Sequence, residues 1–355
     1  VRDRVDLEGV FRAFALAMLP CLVAGAHGLG RDTLRALQQV GLERAPGWRG
    51  DVLAVLGVGL DADALVGPLV LGLLHLLPLL LVAALVGRAW AFLFARVRGR
   101  PEVGGHVVEA LVFTLLVPPT LPLWQAAVGM SFGVVLGKEV FGGGGRNLVH
   151  PAVTAAAFLL LAWPASLRGA TIWVPVEGLE WAAFHDQVAS GGTTYLAAAG
   201  VSLGDAFVGG FPGPAAARAP WAAVLGGLYL LARRLVAWRT IVAVAVGVLS
   251  TAFLWRLAGP YTTPLSDLLP LWHLVLGSLL FGAVFLATDP VTTPVTHLGR
   301  WIHGLLLGGV VVLLRTANPA HPEGTVLAVL LGSVFAPLND AVVVTLEKMR
   351  RRRHG

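Results

Sequence analysis

Lys138 and Glu139 stand side by side just ahead of an unbroken glycine run, Gly142-Gly-Gly-Gly145, which ends in Arg146-Asn147. Glycines leave backbone N–H groups open, and successive open N–H groups can cradle an anionic or polar ligand edge. The same residues also read as a flexible turn after a helix, and both readings stand at this point. His273, Asp289 and Asp340 fall at or near the ends of apolar runs, where an ionisable group is either a satisfied interfacial residue or an ion ligand. Other chemistries are excluded. No Walker loop, GxGxxG fingerprint, His-Glu-x-x-His pair or nucleophile elbow occurs, so the chain alone neither hydrolyses ATP nor binds NADH in a Rossmann domain. A single cysteine, Cys21, rules out a disulfide framework, a Cys-ligated zinc and a self-contained iron–sulfur cluster.

The elements that must position these residues are membrane helices. Hydrophobic residues make up 56% of the 355-residue chain and charged residues 13%, against roughly 25% charged in a soluble domain. Apolar runs fall near 10–28, 68–95, 105–121, 122–140, 150–166, 220–235, 238–255, 271–287, 301–315 and 324–342. That predicts an all-α integral membrane protein of about ten spans. Pro118-Pro119, Pro122 and Pro151 break the shorter ones, as is tolerated where backbone lines a cavity or is buried in protein. The net charge of +6 belongs to loops rather than to nucleic acid. Dense basic clusters at Arg96, Arg98 and Arg100, at Arg233, Arg234 and Arg239, and from Lys348 to Arg353 put both termini in the cytoplasm. Arg218 and Arg315 count among the outward-facing basic residues. No cleavable signal peptide is evident at the start. An even number of spans divides into two inverted five-helix halves, 1–166 and 220–355, around an external segment, 167–219. The partial echo of Asn147-Leu-Val-His-Pro151 in Asn318-Pro-Ala-His-Pro322 supports this.

Val117-Pro-Pro-Thr-Leu-Pro-Leu-Trp-Gln-Ala126, Ser131-Phe-Gly-Val-Val-Leu-Gly-Lys-Glu-Val-Phe-Gly142 and Gly145-Arg-Asn147 resemble the signature of the B subunit of the sodium-translocating NADH:quinone reductase. So do Val1-Arg-Asp-Arg-Val-Asp-Leu7, Trp272-His-Leu-Val-Leu-Gly277, Ala287-Thr-Asp-Pro-Val291, Asn318-Pro-Ala-His-Pro-Glu-Gly324 and Phe335-Ala-Pro-Leu338. The related D subunit of the Rnf complex, which serves a ferredoxin:NAD system, shares the architecture but matches the Lys138 to Asn147 stretch and the N-terminal motif less well. The resemblance implies two inverted repeats similar to urea transporters and a multi-pass place in the bacterial inner membrane. It also implies electron transfer through flavins to quinone, coupled to Na+ export, within a complex of other subunits. The family's B subunit begins further upstream than Val1.

Members of the family carry FMN through its phosphate on a threonine in an Asp-x-x-Ser/Thr-Gly-Ala-Thr motif, installed by a flavin transferase, together with a non-covalent riboflavin. Asp186-Gln-Val-Ala-Ser190-Gly191-Gly-Thr193-Thr194 reproduces that motif with one insertion, leaving Thr193 or Thr194 as the attachment residue. A gap-free count from Ile172-Trp173 sets Glu177-Gly-Leu-Glu-Trp-Ala-Ala183 there instead, and puts Ala183 at the attachment point. That alignment would mean a lost FMN and a flavin-free channel or transporter on the same fold. His150-Pro-Ala and Pro212-Gly-Pro-Ala-Ala-Ala-Arg218 depart from the family's pattern. By resemblance, Gly142 and Gly143, with Arg146 and Asn147, lie near flavin or quinone, and Glu139 and Asp340 serve the sodium path.

Overall fold

The computed structural model describes residues 7–42, 44–99, 104–176, 179–258, 263–318 and 323–354. Residues 1–6 of the N-terminal motif, Arg100, Glu177-Gly178 and Pro319 to Pro322 lie outside them. Five helices are long and apolar enough to cross a membrane. They are α1 (Leu7–Gln39), α2 (Val66–Arg98), α8 (Trp238–Ala258), α11 (His297–Ala317) and α12 (Thr325–His354). The remaining apolar runs form shorter helices: α3 (His106–Leu116), α4 (Leu123–Val134, continued by a π-turn through Glu139), α5 (Pro151–Ala162) and α7 (Pro220–Ala232). The run at 271–287 breaks into α9 (Pro270–Val275) and α10 (Leu279–Phe281), and a π-turn carries α10 on to Leu286. Among the described residues there is no strand. The chain is a multi-pass membrane protein.

Proline sets several boundaries. The run 105–121 is helical only to Leu116, because Pro118 and Pro119 follow and cannot donate to the helix. Pro151 and Pro220 open α5 and α7, where the missing N–H costs nothing. The long helices show their apolar sides to lipid: Leu81, Leu85, Phe92 and Leu93 of α2 are exposed. Of the short ones α3 is interior, with Val108 to Leu116 buried throughout, whereas α4 exposes Trp124 and Val128, and α7 Leu225 and Leu228. α1 and α2 lie close enough that a Cβ on Gly72 would stand 1.8 Å from the Ala26 carbonyl oxygen, so only glycine permits the contact. α1 also packs on α7, and α5 on α12, so helices distant in sequence meet.

Two buried arginines hold the end of the bundle away from Leu7. Arg218 pairs with Asp32 of α1 and donates to the carbonyl oxygens of Trp173 (2.9 Å) and Gly213 (3.0 Å). Arg315 of α11 donates to the carbonyls of His273 (2.6 Å), Leu276 (2.7 Å) and Glu323 (3.1 Å). The break between α9 and α10 frees backbone groups that no water can reach, and a guanidinium fork satisfies them. Both arginines, counted on the outer side of the membrane, turn their side chains inward as buried structural ties. A charge counted from sequence says nothing of whether its side chain turns back into the fold.

Candidate functional site

The segment 167–219 is not an open loop. Its main element, α6 (Phe184–Ala198), starts at Ala183 and is interrupted at Gly192, whose backbone (φ 54°, ψ −138°) is left-handed. A Cβ on Gly192 would press within 2.8 Å of the Pro264 carbonyl oxygen, so this break also requires glycine. Before the break, Asp186, Ala189 and Ser190 follow the three-to-four-residue helical spacing and line one wall of a cavity of about 450 Å³. After it, Thr193 and Thr194 are exposed. Ser190 donates to the Gln187 carbonyl (3.0 Å), and Gly191 adjoins it on the same helix. Ala183 is fully buried beneath Gly213.

The cavity opens between segments that are distant in sequence. Leu116, Leu160 and Trp173 come from one side, Glu323 and Leu327 from the other. Its volume falls in the range of small-molecule and cofactor sites, roughly 300–1,000 Å³. Three ionisable groups meet at its edge: His185 Nε2 lies 3.4 Å from Asp186, and its Nδ1 lies 3.9 Å from Glu323. Burial pushes the Asp186 carboxyl above its usual range; His185 opposes this and the Glu323 charge adds to it. Glu323 also accepts from the Ser278 N–H (2.9 Å), placing a carboxylate at the free N-terminus of α10.

At the end of the bundle where α1 begins, charges pair off. Lys138 Nζ meets Glu109 Oε1 at 2.9 Å with both side chains buried, and Arg98 meets Glu139 Oε2 at 2.7 Å. Gly142 and Gly143 have φ of 120° and 91°, in the left-handed region. Their N–H groups donate to the carbonyls of Glu139 (3.0 Å) and Lys138 (3.1 Å), closing the π-turn instead of facing outward. The open cradle expected from the glycine run is therefore occupied, at these two positions, by the chain's own backbone. Arg146 is exposed and Asn147 half-buried. Asn147 borders a small void of about 20 Å³ with Glu109, His150 and Asp289. Asp340 accepts from Thr296 Oγ1 (2.6 Å), Thr296 N (3.0 Å) and Val295 N (2.8 Å), and so ties the start of α11.

The structure thus gathers Asp186 and Ser190 at one cavity, with Thr193 and Thr194 just beyond it. It also sets Glu139, Gly142, Gly143, Arg146 and Asn147 around one turn. Glu139 and Asp340 each have separate partners, and no cluster of three or more metal-ligating side chains forms among the described residues. Sequence reasoning missed Glu109, Glu323 and Arg315. Glu109 and Arg315 are each the lone Asp, Glu, Lys or Arg in an apolar run, which was the signal available.

Comparison with known proteins covers the chain almost end to end. The chain is 40% identical over 360 residues to the B subunit of the Na(+)-translocating NADH-quinone reductase of Haemophilus influenzae (strain PittEE), covering 99% of this chain and 88% of the relative. It is 40% identical over 366 residues to the protein of the same name from Klebsiella pneumoniae (strain 342), and 38% identical over 366 residues to that of Yersinia pestis. Both alignments cover 100% of this chain and 89% of the relative. The model of the NQR2, RnfD, RnfE family matches residues 1–347, and the chain belongs to that family.

Proposed function

We propose that this chain is the membrane-embedded B subunit of a Na+-translocating NADH:quinone reductase, which passes electrons through FMN and riboflavin to quinone while Na+ is exported. The observation that carries the reading is the placement of α6. Its Asp186 and Ser190 border a ligand-sized cavity, and the hydroxyls of Thr193 and Thr194 stand exposed just past the Gly192 break. Three residues of chain from Ser190 to Thr193 reach at most about 11 Å, within the span of a ribityl phosphate arm. Ala183, the alternative attachment point, is fully buried, where a transferase has no access. The residues fit the flavin: an apolar wall of Leu116, Leu160 and Leu327 for the ring, and polar atoms at the rim.

Bound FMN supplies electron transfer; the chain's own residues anchor it, exclude water and couple its charge to the fold. The partners are the other subunits of the complex, quinone, Na+, the lipids of the bacterial inner membrane, and a flavin transferase. Basic residues at the end of the bundle where α1 begins support cytoplasmic termini, with 167–219 outside. The packing of α1 on α7 and of α5 on α12 supports two inverted, urea-transporter-like halves, 1–166 and 220–355. Glu139 and Asp340 are the carboxylates assigned to the sodium path, and Gly142, Gly143, Arg146 and Asn147 to the approach of quinone or riboflavin. A pump needs two states of different ion affinity, and reduction of the flavin biases between them.

The test is flavin fluorescence of the denatured chain in a gel after co-expression with a flavin transferase. The wild-type band fluoresces, and Thr193→Ala, Thr194→Ala or the double variant abolishes it. A dark wild-type band, beside a loaded control protein, would turn the reading toward a flavin-free transporter.

A further inference from the structure

Two buried polar atoms on the cavity wall have no hydrogen-bond partner: Nε1 of Trp173 and Oε2 of Glu323. One can only donate and the other, in a carboxylate, can only accept. Both side chains are fixed by contacts that leave these atoms unused. The other carboxylate oxygen of Glu323 takes the Ser278 N–H at 2.9 Å. The Trp173 backbone is held by Arg218 (2.9 Å), and its ring meets His185 edge-on at 6.3 Å between centroids. His185 Nδ1, at 3.9 Å from Glu323 Oε2, stands beyond hydrogen-bonding distance. Such orphaned groups are rare in folded proteins, and a donor and an acceptor in residues from two sides of one cavity describe a ligand that bridges them with the complementary pair. The pyrimidine edge of an isoalloxazine offers that pair, a ring N–H between two carbonyl oxygens.

We propose that Glu323 and Trp173 are the positioning residues for the flavin ring, Glu323 Oε2 accepting its N–H and Trp173 Nε1 donating to an adjacent ring carbonyl. The proposal rests on the reading that the cavity takes FMN anchored on α6. Trp173 lies at the middle of the sequence and Glu323 near its end, so the ring would bridge segments 150 residues apart. A carboxylate against the pyrimidine edge also opposes negative charge arriving there, which lowers the flavin's midpoint potential.

The experiment uses the full chain, co-expressed with a flavin transferase and purified with its flavin. Loading is read by gel fluorescence in wild type, Glu323→Gln, Trp173→Phe and Ser278→Ala. All four are expected to load equally. Glu323→Gln is expected to raise the midpoint potential, and Trp173→Phe to shift the visible flavin band and raise the iodide quenching constant several-fold. Ser278→Ala, which removes the hydroxyl that donates to the other Glu323 oxygen and keeps the backbone N–H, is expected to change neither. If Glu323→Gln does not fold, the Trp173→Phe spectrum and quenching decide the matter. Fully loaded variants with wild-type potential, spectrum and quenching would overturn the proposal and leave the attachment reading standing. A Ser278→Ala potential that moves as far as that of Glu323→Gln would overturn it too, by assigning the effect to the helix cap. A wild-type chain without covalent flavin would overturn both.

Discussion

Where α1 begins, buried carboxylates have cations of their own: Glu109 has Lys138, and Glu139 has Arg98. Around the cavity at the other end, Asp186 and Glu323 share His185 instead of holding a direct partner each, with the Arg315 charge also acting on Glu323. One Glu323 oxygen is unmatched, as is Glu109 Oε2 beside the small void at the first end. Matched charges in low dielectric lock a structure, because removing one partner strands the other. Unmatched polar atoms beside a void are poised for something that arrives later. The contrast is between carboxylates that have a cation each and carboxylates that share one, with unmatched oxygens beside a void at both ends.

The largest expected effect is at the locked end. Lys138→Met should cost about 3–5 kcal/mol by leaving Glu109 buried and unpaired, and adding Glu109→Leu should recover most of it. Thermal unfolding in detergent measures both; a single variant as stable as wild type would break the comparison. Arg315→Met strips three carbonyls at the α9–α10 break, and a loss on the order of 3 kcal/mol is expected, with faster proteolysis near 276–278. Glu139→Ala frees Arg98 and should slow Na+-stimulated quinone reduction while leaving the flavin loaded. Unchanged Na+ dependence would confine Glu139 to its structural pairing.

The smallest effect sharpens the cavity end. Because burial raises the Asp186 carboxyl, its native pKa lies above the unfolded value. Below the unfolded value it is protonated in both states and carries no cost. As pH rises from there through the native value, the unfolded state loses its proton first and stability falls. Asp186→Asn should remove that slope from an acid-range melting series; an identical slope would show the carboxyl to be well solvated.

Much of the architecture was legible because hydrophobic run length and proline are local signals. Pro118-Pro119, Pro151 and Pro220 mark real helix boundaries, and each of the five long helices falls on one of the apolar runs. The break at Leu276 to Ser278 was not legible, since Gly277 and Ser278 are residues a continuous span also tolerates and the interruption depends on Arg315 and Glu323, distant in sequence, satisfying the freed backbone. The cavity was half legible. Motif spacing singled out Asp186 and Ser190, but nothing local links Glu323 or Trp173 to them. At the glycine run the residue types pointed to open N–H groups; the π-turn that absorbs two of them depends on backbone geometry that a row of glycines does not encode.

The short interior helix has an electrical consequence. α3, with 11 residues, is only about 16 Å long, while the hydrocarbon around it is roughly 30 Å thick. One face of that septum borders the large cavity at Leu116, and the other the small void at Glu109. Where water or ions enter both, the transmembrane voltage drops across the septum instead of the full bilayer. The energy of carrying a charge across stays at about 2.3 kcal/mol per 100 mV, but nearly twice the field acts on whatever moves there. A displacement of a few ångströms by a side chain or an ion inside this wall therefore does work that would take a far longer stroke elsewhere in the membrane.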